Sequence, residues 1–390
     1  MSLPRFSRQH FSASQMPAQL KPSLLLLLMT LALAAPANAS GLDAGKNASG
    51  LGVAYAGAAA VADNASVLRY NPAGLTLLEG TLFSPVATGR RHRYSFNDRE
   101  SAGLAGDESG QAGQRQTLPH AYLAWPISDA WSLGLGIYSP YSLDPGYNDN
   151  WLGRNQFVRT EFDSLNFNPA IAYRVSDRLS LGFGLDYRKI RLKVAQEGAR
   201  DSDSAWGWDA GAILTLSPSM RLGLAYQSGM KYCSPALPSA FPGVNDYGRF
   251  RTPGVLSFSV WQQISENWEA MGDFSYARWR SMDEYDRDSW RLSWGAAYAW
   301  NNHWKTRFGL AYDRSPITDS QRLALLPNSH RLWFSLGAQY RFGKASALDF
   351  GYAYQWAKKP RLDYDSGGPR LRGDYNTNGH ILGIQYSQGF

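Results

Sequence analysis

The chain has 390 residues, 14% of them aromatic, with 38 Gly, 14 Trp and 22 Tyr and a mean hydropathy of −0.37. That mixture excludes a bundle of membrane helices, each of which needs about 20 consecutive apolar residues. The formal net charge is +7, but Arg and Lys are scattered among the segments rather than gathered in one stripe, which argues against nucleic acid as a partner.

The one long apolar run is SLLLLLMTLALAA, Ser23 to Ala35, preceded by Arg5, Arg8 and Lys21 and followed by Ala-Asn-Ala at Ala37 to Ala39. A basic leader, a short apolar core and a small-x-small site predict a secretory signal peptide over residues 1–39, cleaved after Ala39. The leader carries three of the seven net positive charges, which leaves +4 on the exported chain. Ser40 and not a cysteine stands directly after the cleavage site, so lipid attachment there is not expected, and the lone Cys233 excludes an internal disulfide.

Residues 40–80 are rich in Ala and Gly and lack strand alternation. VAYAGAAAVA, Val53 to Ala62, suits a short helix. The stretch Asn71-Pro72-Ala73-Gly74 is expected to end it, because Pro72 lacks a backbone donor and pushes Asn71 out of helical angles. A segment of about forty residues is too small to fold alone. It suits a hatch inside a wide barrel, whose lumen would otherwise leak.

From residue 81 to the end the dominant period is two. In RLWFSLGAQYRF one face carries Leu332, Phe334, Leu336, Ala338, Tyr340 and Phe342, and the other Arg331, Trp333, Ser335, Gly337, Gln339 and Arg341, a separation that needs an extended strand. Such segments predict about fourteen strands, near 81–94, 118–127, 131–139, 155–174, 178–196, 205–216, 220–233, 249–264, 267–282, 287–301, 304–314, 329–342, 346–359 and 377–390. Short turns (128–130, 175–177, 217–219, 301–302, 343–345) alternate with longer polar loops (95–117, 140–154, 234–248, 315–328, 360–376). Alternating short and long connections, apolar faces and Tyr and Trp toward strand ends predict an all-β fold: an outer-membrane barrel of about fourteen antiparallel strands over residues 81–390.

By parity Trp261, Trp279 and Trp333 face the lumen. Large aromatics beside glycines suit a pocket for an apolar solute, or equally packing against a plug. A polar porin is the alternative from another class. A barrel lipid hydrolase is a second, but His92, His120, His303, His330 and His380 show no metal-ligand spacing, no GxSxG elbow is present, and no motif calls for a cofactor.

GLGVAYAGAAAVADNASVLRYNPAGL closely resembles the N-terminal hatch of the FadL-type long-chain fatty acid transporters, and the resemblance continues through LGLGIYSPYSL, WLGR, SLNFNPAIAYRVSDRLSLGFGLDY, SPITDSQRLALLPNSHRLWFSLGAQY and the terminal Phe390. It implies a monomeric fourteen-stranded barrel with a hatch, passive uptake of hydrophobic molecules, and a terminal strand read by the barrel-assembly machinery through Phe390. It also implies a break in the third strand that opens a lateral exit, matched here by Ser139, Pro140, Tyr141, Ser142 and Leu143, with Ser142 where relatives often carry glycine. Pro140 suits such a break by itself. For a fatty acid the resemblance points to lumenal bases that hold the carboxylate, and Arg188 and Arg191 lie in the matching region; Arg287 is a weaker match beside the shortened DEYDRD. Fatty acids are the first expectation, neutral aromatic or aliphatic hydrocarbons the second.

Overall fold

The computed structural model describes residues 47–143, 146–147, 150–154, 160–194, 199–234, 249–281, 287–319, 322, 324, 327–343, 345–365 and 369–390. The expected signal peptide, the first residues of the hatch and most of loop 234–248 lie outside the described residues.

Fourteen antiparallel strands form the wall: β1 (Leu82–Asp98), β2 (Ser109–Pro126), β3 (Trp131–Tyr138), β4 (Thr160–Arg174), β5 (Leu179–Val194), β6 (Ala199–Ser217), β7 (Met220–Gln227), β8 (Val255–Gln263), β9 (Trp268–Ala277), β10 (Ser289–Ala299), β11 (Trp304–Arg314), β12 (Arg331–Phe342), β13 (Ser346–Ala357) and β14 (Arg370–Gly389). Each pairs with its chain neighbours, and β1 pairs with β14 from Leu82↔Gly389 to Asp98↔Gly373, which closes the barrel. Pairing of the first strand with the last leaves neither end of the sheet as an edge to be desolvated in lipid. The outward face carries exposed Leu181, Phe183 and Leu185 on β5 and Leu332, Phe334 and Leu336 on β12, the alternation on which the strands were recognised.

Three sequence expectations change. Several strands run well beyond their expected ends: β14 starts at Arg370 rather than 377, β2 at Ser109 rather than 118, and a short strand Arg361–Asp365 pairs with the upper part of β14. At 17 to 20 residues, β1, β2, β6 and β14 exceed the 9–11 that a tilted strand needs to cross a bilayer, so their outer ends stand above it. The helix expected over Val53 to Ala62 does not form: a single helical turn, α1 (Ala48–Leu51), precedes that stretch, which consists of irregular turns with Ala54, Tyr55 and Gly57 at positive φ. Asn71-Pro72 does not end a helix but begins one, the 3-10 helix Pro72–Leu77, with Asn71 as its N-cap.

The irregular hatch is shaped to the wall. An added Cβ on Gly309 of β11 would lie 2.2 Å from the Val53 carbonyl carbon, one on Gly223 of β7 2.0 Å from Ala59 O, and one on Gly351 of β13 2.4 Å from Ala48 O. Several of these wall glycines are cross-strand neighbours, as in Gly295↔Gly309 and Gly337↔Gly351↔Gly383. They make a shallow inner track along which hatch backbone lies directly on barrel backbone, a separation that any larger residue forbids.

Candidate functional site

Two features single out the site: the seat of the hatch and a break in the wall. Asn71 is fully buried. Its Oδ1 accepts from Ala73 N at 3.1 Å, and its Nδ2 donates to Ala59 O at 2.8 Å and to Ala212 O of β6 at 3.0 Å. One side chain therefore caps a 3-10 helix, staples two parts of the hatch and fastens both to the barrel. Ala73 lies against Gly182 of β5, where a wall Cβ would come within 2.2 Å of Ala73 N, and a Cβ on Gly74 would meet Val67 Cγ2 at 2.4 Å. Asn71 is thus fixed by its side-chain bonds and Gly74 by the lack of room for a Cβ, while the backbone of Pro72 and Ala73 lies directly on Gly182. The turn is seated on β5 and β6.

A second fastening was missed in the sequence. Arg307 of β11 reaches Asp349 of β13 at 2.5 Å and hatch Asp63 at 3.1 Å, and Gln339 Nε2 donates to Asp349 Oδ1 at 3.0 Å. Arg291 of β10 donates from Nη2 to Ala54 O at 2.8 Å, with its guanidinium 4.2 Å from the Trp333 ring and 5.4 Å from that of Tyr55. Buried charges are costly unless paired and bonded, and here their partners hold the hatch in one register. Both arginines sat at inward parity in strands already recognised; what the sequence could not supply was the hatch atom opposite.

The wall breaks after Tyr138. The β2–β3 ladder covers Ala121 to Pro126, whereas β2 remains paired with β1 as far as Ser109. Ser139 to Tyr141 have no strand structure, and Ser142–Leu143 resumes as a short strand paired with β4 through Ser142↔Asp163. The chain past Pro140 therefore stays with β4 and leaves β2, opening the ladder on one side. Two side-chain bonds cross that opening: Ser139 N donates to His120 Nδ1 at 3.3 Å, and Gln116 Nε2 to Ser142 Oγ at 2.5 Å. Ser142 Oγ in turn donates to Asp163 Oδ1 at 2.8 Å.

Between hatch and break lies a cavity of about 240 Å³, with Tyr55, Tyr70 and Pro72 of the hatch and Tyr141 of the break in its wall. Arg69, Arg291 and Arg331 line it, as do Asp209, Asp273 and Asp313. Trp279 lines it too, but from the 3-10 turn Trp279–Ser281 beyond the end of β9, so strand parity does not place it. Trp261 and Trp333 are buried against the hatch, Trp261 among Val53, Ala56 and Ala60, and Trp333 edge-on to Tyr55. Their surroundings are those of the packing alternative.

The two arginines singled out in the sequence separate. Arg188 is buried, donates from Nε to Asn166 Oδ1 at 3.0 Å and stands 5.0 Å over the Tyr141 ring. Arg191, an odd number of residues on, falls on the opposite face of β5 and is exposed, which removes it as a lumenal base. Neither lines the cavity; its guanidinium groups come from Arg69, Arg291 and Arg331. Arg287 donates from Nε to Ser315 O at 3.0 Å and from Nη2 to Ile317 O at 2.8 Å, bracing the connection after β11. Among the described residues no cluster of His, Cys, Asp and Glu is placed to hold a metal.

The family described as outer membrane protein transport protein (OMPP1/FadL/TodX) matches residues 28–200 and 196–390. Outer membrane protein P1 of Haemophilus influenzae is 29% identical over 416 residues, covering 86% of this chain and 90% of that protein. The long-chain fatty acid transport protein of Escherichia coli K12 is 24% identical over 397 residues, covering 81% of this chain and 87% of that protein. In fold the chain is similar to a Pseudomonas aeruginosa FadL homologue, with a TM-score of 0.80 at 21% identity over 90% of this chain and 100% of that one. It is likewise similar to the Pseudomonas putida toluene transporter TodX, at 0.68 and 16% over 90% and 99%.

Proposed function

Because the chain belongs to the OMPP1/FadL/TodX family of outer membrane transport proteins, we propose that the hydrophobic compounds it carries are long-chain fatty acids, taken up passively through the lumen cavity and released sideways at the break after Tyr138. Family membership makes it an outer-membrane transporter and not an enzyme. The observation that carries the finer reading is the cavity itself. Its wall joins hatch residues Tyr70 and Pro72 to Tyr141 of the break, and its tyrosines are accompanied by the guanidinium groups of Arg69, Arg291 and Arg331.

A molecule with an apolar chain and an acidic head suits that lining, since a charge-assisted bond from Arg to a carboxylate is worth about 1.5–3 kcal/mol. In this reading Arg188 positions Tyr141 at the break instead of holding the carboxylate, and Arg191 takes no part. Neutral hydrocarbons remain the second reading, favoured by Asp209, Asp273 and Asp313 on the same walls. The leader is removed after Ala39, Phe390 addresses the chain to the barrel-assembly machinery, and the barrel acts as a monomer.

The test compares two ligands of equal chain length. Arg331→Gln should weaken binding of a long-chain fatty acid by about tenfold, and leave the matching long-chain alkane within twofold. Equal losses for both ligands would refute carboxylate recognition by this cavity and favour the hydrocarbon reading.

A further inference from the structure

A second cavity, of about 700 Å³, lies at the outer rim between the connection that follows β11 and the end of β13. It is unlike the lumen cavity in composition. Arg287, Arg322, Lys358, Lys359 and Arg361 line it, against two acids, Asp319 and Asp374. Both acids are already engaged, Asp319 by Arg322 at 2.5 Å and Asp374 by Arg99 at 3.0 Å and more loosely by Arg361 at 3.9 Å. Among the described residues Lys358 and Lys359 have no ion-pair partner, and both are exposed. Such a concentration of like charge is unfavourable without an anion. At its edge the His330 imidazole is held below the usual range, first by burial and then by Arg287, Arg314, Lys358 and Arg322 nearby.

Position decides which anion. Trp356, at the outer end of the lipid-facing row of β13 and 48% exposed, also lines this cavity, so its mouth opens at the level where aromatic side chains mark the membrane interface. Lysines just beyond such a residue sit among lipid headgroups. A single carboxylate on an alkyl chain would meet one or two of the five cations and leave the rest without a counter-charge, with Trp356 and Pro360 as the apolar side chains of the lining. Several phosphates on a bulky polar headgroup would meet most of the cations and fill the volume.

We propose that this rim pocket binds the phosphorylated sugar headgroup of an outer-leaflet glycolipid, with Lys358 and Lys359 as its accessible phosphate ligands and Arg322 and Arg287 as its fixed floor. The site is separate from the transport cavity, although Ser329 borders both, and it does not depend on the identity of the transported substrate. Lipid held there would bridge the connections after β11 and β13 and steady the outer face of the barrel.

The purified full-length protein in detergent is titrated with bis-phosphorylated lipid A and with its dephosphorylated form, and occupancy is read by native mass spectrometry. Lys358→Gln with Lys359→Gln should weaken binding of bis-phosphorylated lipid A by about tenfold or more. Lys358→Arg with Lys359→Arg should retain it, and the dephosphorylated lipid should bind the natural protein as weakly as the Gln variant binds the phosphorylated one. Equal binding of phosphorylated lipid A by the natural protein and the Gln variant overturns the proposal. So does release of lipid A by inorganic phosphate, which would mark a site for a free anion. Loss of fatty acid binding in the Gln variant with lipid A unaffected would overturn it as well, assigning the pocket to substrate capture.

Discussion

Strand β12 is joined to both neighbours by continuous backbone ladders, ten residue pairs with β11 and twelve with β13, whereas residues 47–80 are seated by a few side chains and by the absence of side chains opposite them. The wall asks little of any one residue beyond an apolar or polar face, because its bonds come from the backbone and lipid forbids leaving them open. The hatch asks for particular atoms: Asn71 on three carbonyls, Asp63 on Arg307, and backbone against wall glycines. The same barrel therefore combines a generic shell with a specific insert. Damage to the insert should abolish function without unmaking the shell.

The largest effect is expected from Asn71→Ala with Pro72→Ala. These changes remove the bonds to Ala59, Ala212 and Leu224 and the proline at the start of the 3-10 helix, leaving buried carbonyls without their donor. Uptake of long-chain fatty acid by cells should fall more than tenfold, while the variant still runs as a heat-resistant barrel at normal outer-membrane levels. Natural uptake in that variant would show that the turn is a mere linker and that the contrast between shell and insert is false.

Next in size is a wedge driven from the wall. Gly309→Val puts a side chain where a Cβ alone would be 2.2 Å from Val53, whereas at Gly272 a Cβ meets nothing within 4 Å. In planar bilayers Gly309→Val should pass a steady ion current, and the natural protein and Gly272→Val should both remain closed. Matching conductance in the two valine variants would mean that the glycine track does not seat the hatch. Asp63→Asn should act in the same direction but more weakly, since Asp63 is 28% exposed in its pair with Arg307 and a partly solvated pair is worth about 1 kcal/mol or less. Brief channel openings, counted against the natural protein, are its expected signature.

The same contrast explains what the sequence disclosed. Fourteen strands were legible because lipid enforces an apolar row on alternate residues. The rule lapses above the bilayer, so QAGQRQ before Thr117 and RLRGDYN before Thr377 read as loops although they continue β2 and β14. The hatch helix was misread for the opposite reason: Ala-rich propensity is a weak prior, and seating on the wall outweighs it, with Ala54 and Tyr55 held at positive φ. Asn71-Pro72-Ala73-Gly74 stood out, yet its partners Gly182, Gly211 and Ala212 lie more than a hundred residues away and had no mark of their own. Parity alone separates Arg188 from Arg191. It misplaced Trp279, because β9 ends two residues earlier.

The smallest expected effect lies where shell and insert meet, at the break after Tyr138. Gln116 Nε2 donates to Ser142 Oγ across the open side of the ladder, and that hydroxyl donates onward to Asp163. A glycine at 142 would remove both bonds and loosen the short strand Ser142–Leu143. At about 0.5–1.5 kcal/mol for one hydrogen bond, widening of the exit should become easier by a few-fold, and uptake of long-chain fatty acid by Ser142→Gly should rise by no more than that if release is the slow step. Ser142→Ala separates the causes, since it removes the same bonds without freeing the backbone. A rise in both variants assigns the resistance to the hydroxyl bridge. A rise in the glycine variant alone assigns it to backbone stiffness, and unchanged uptake in both would show that opening of this gap does not limit uptake.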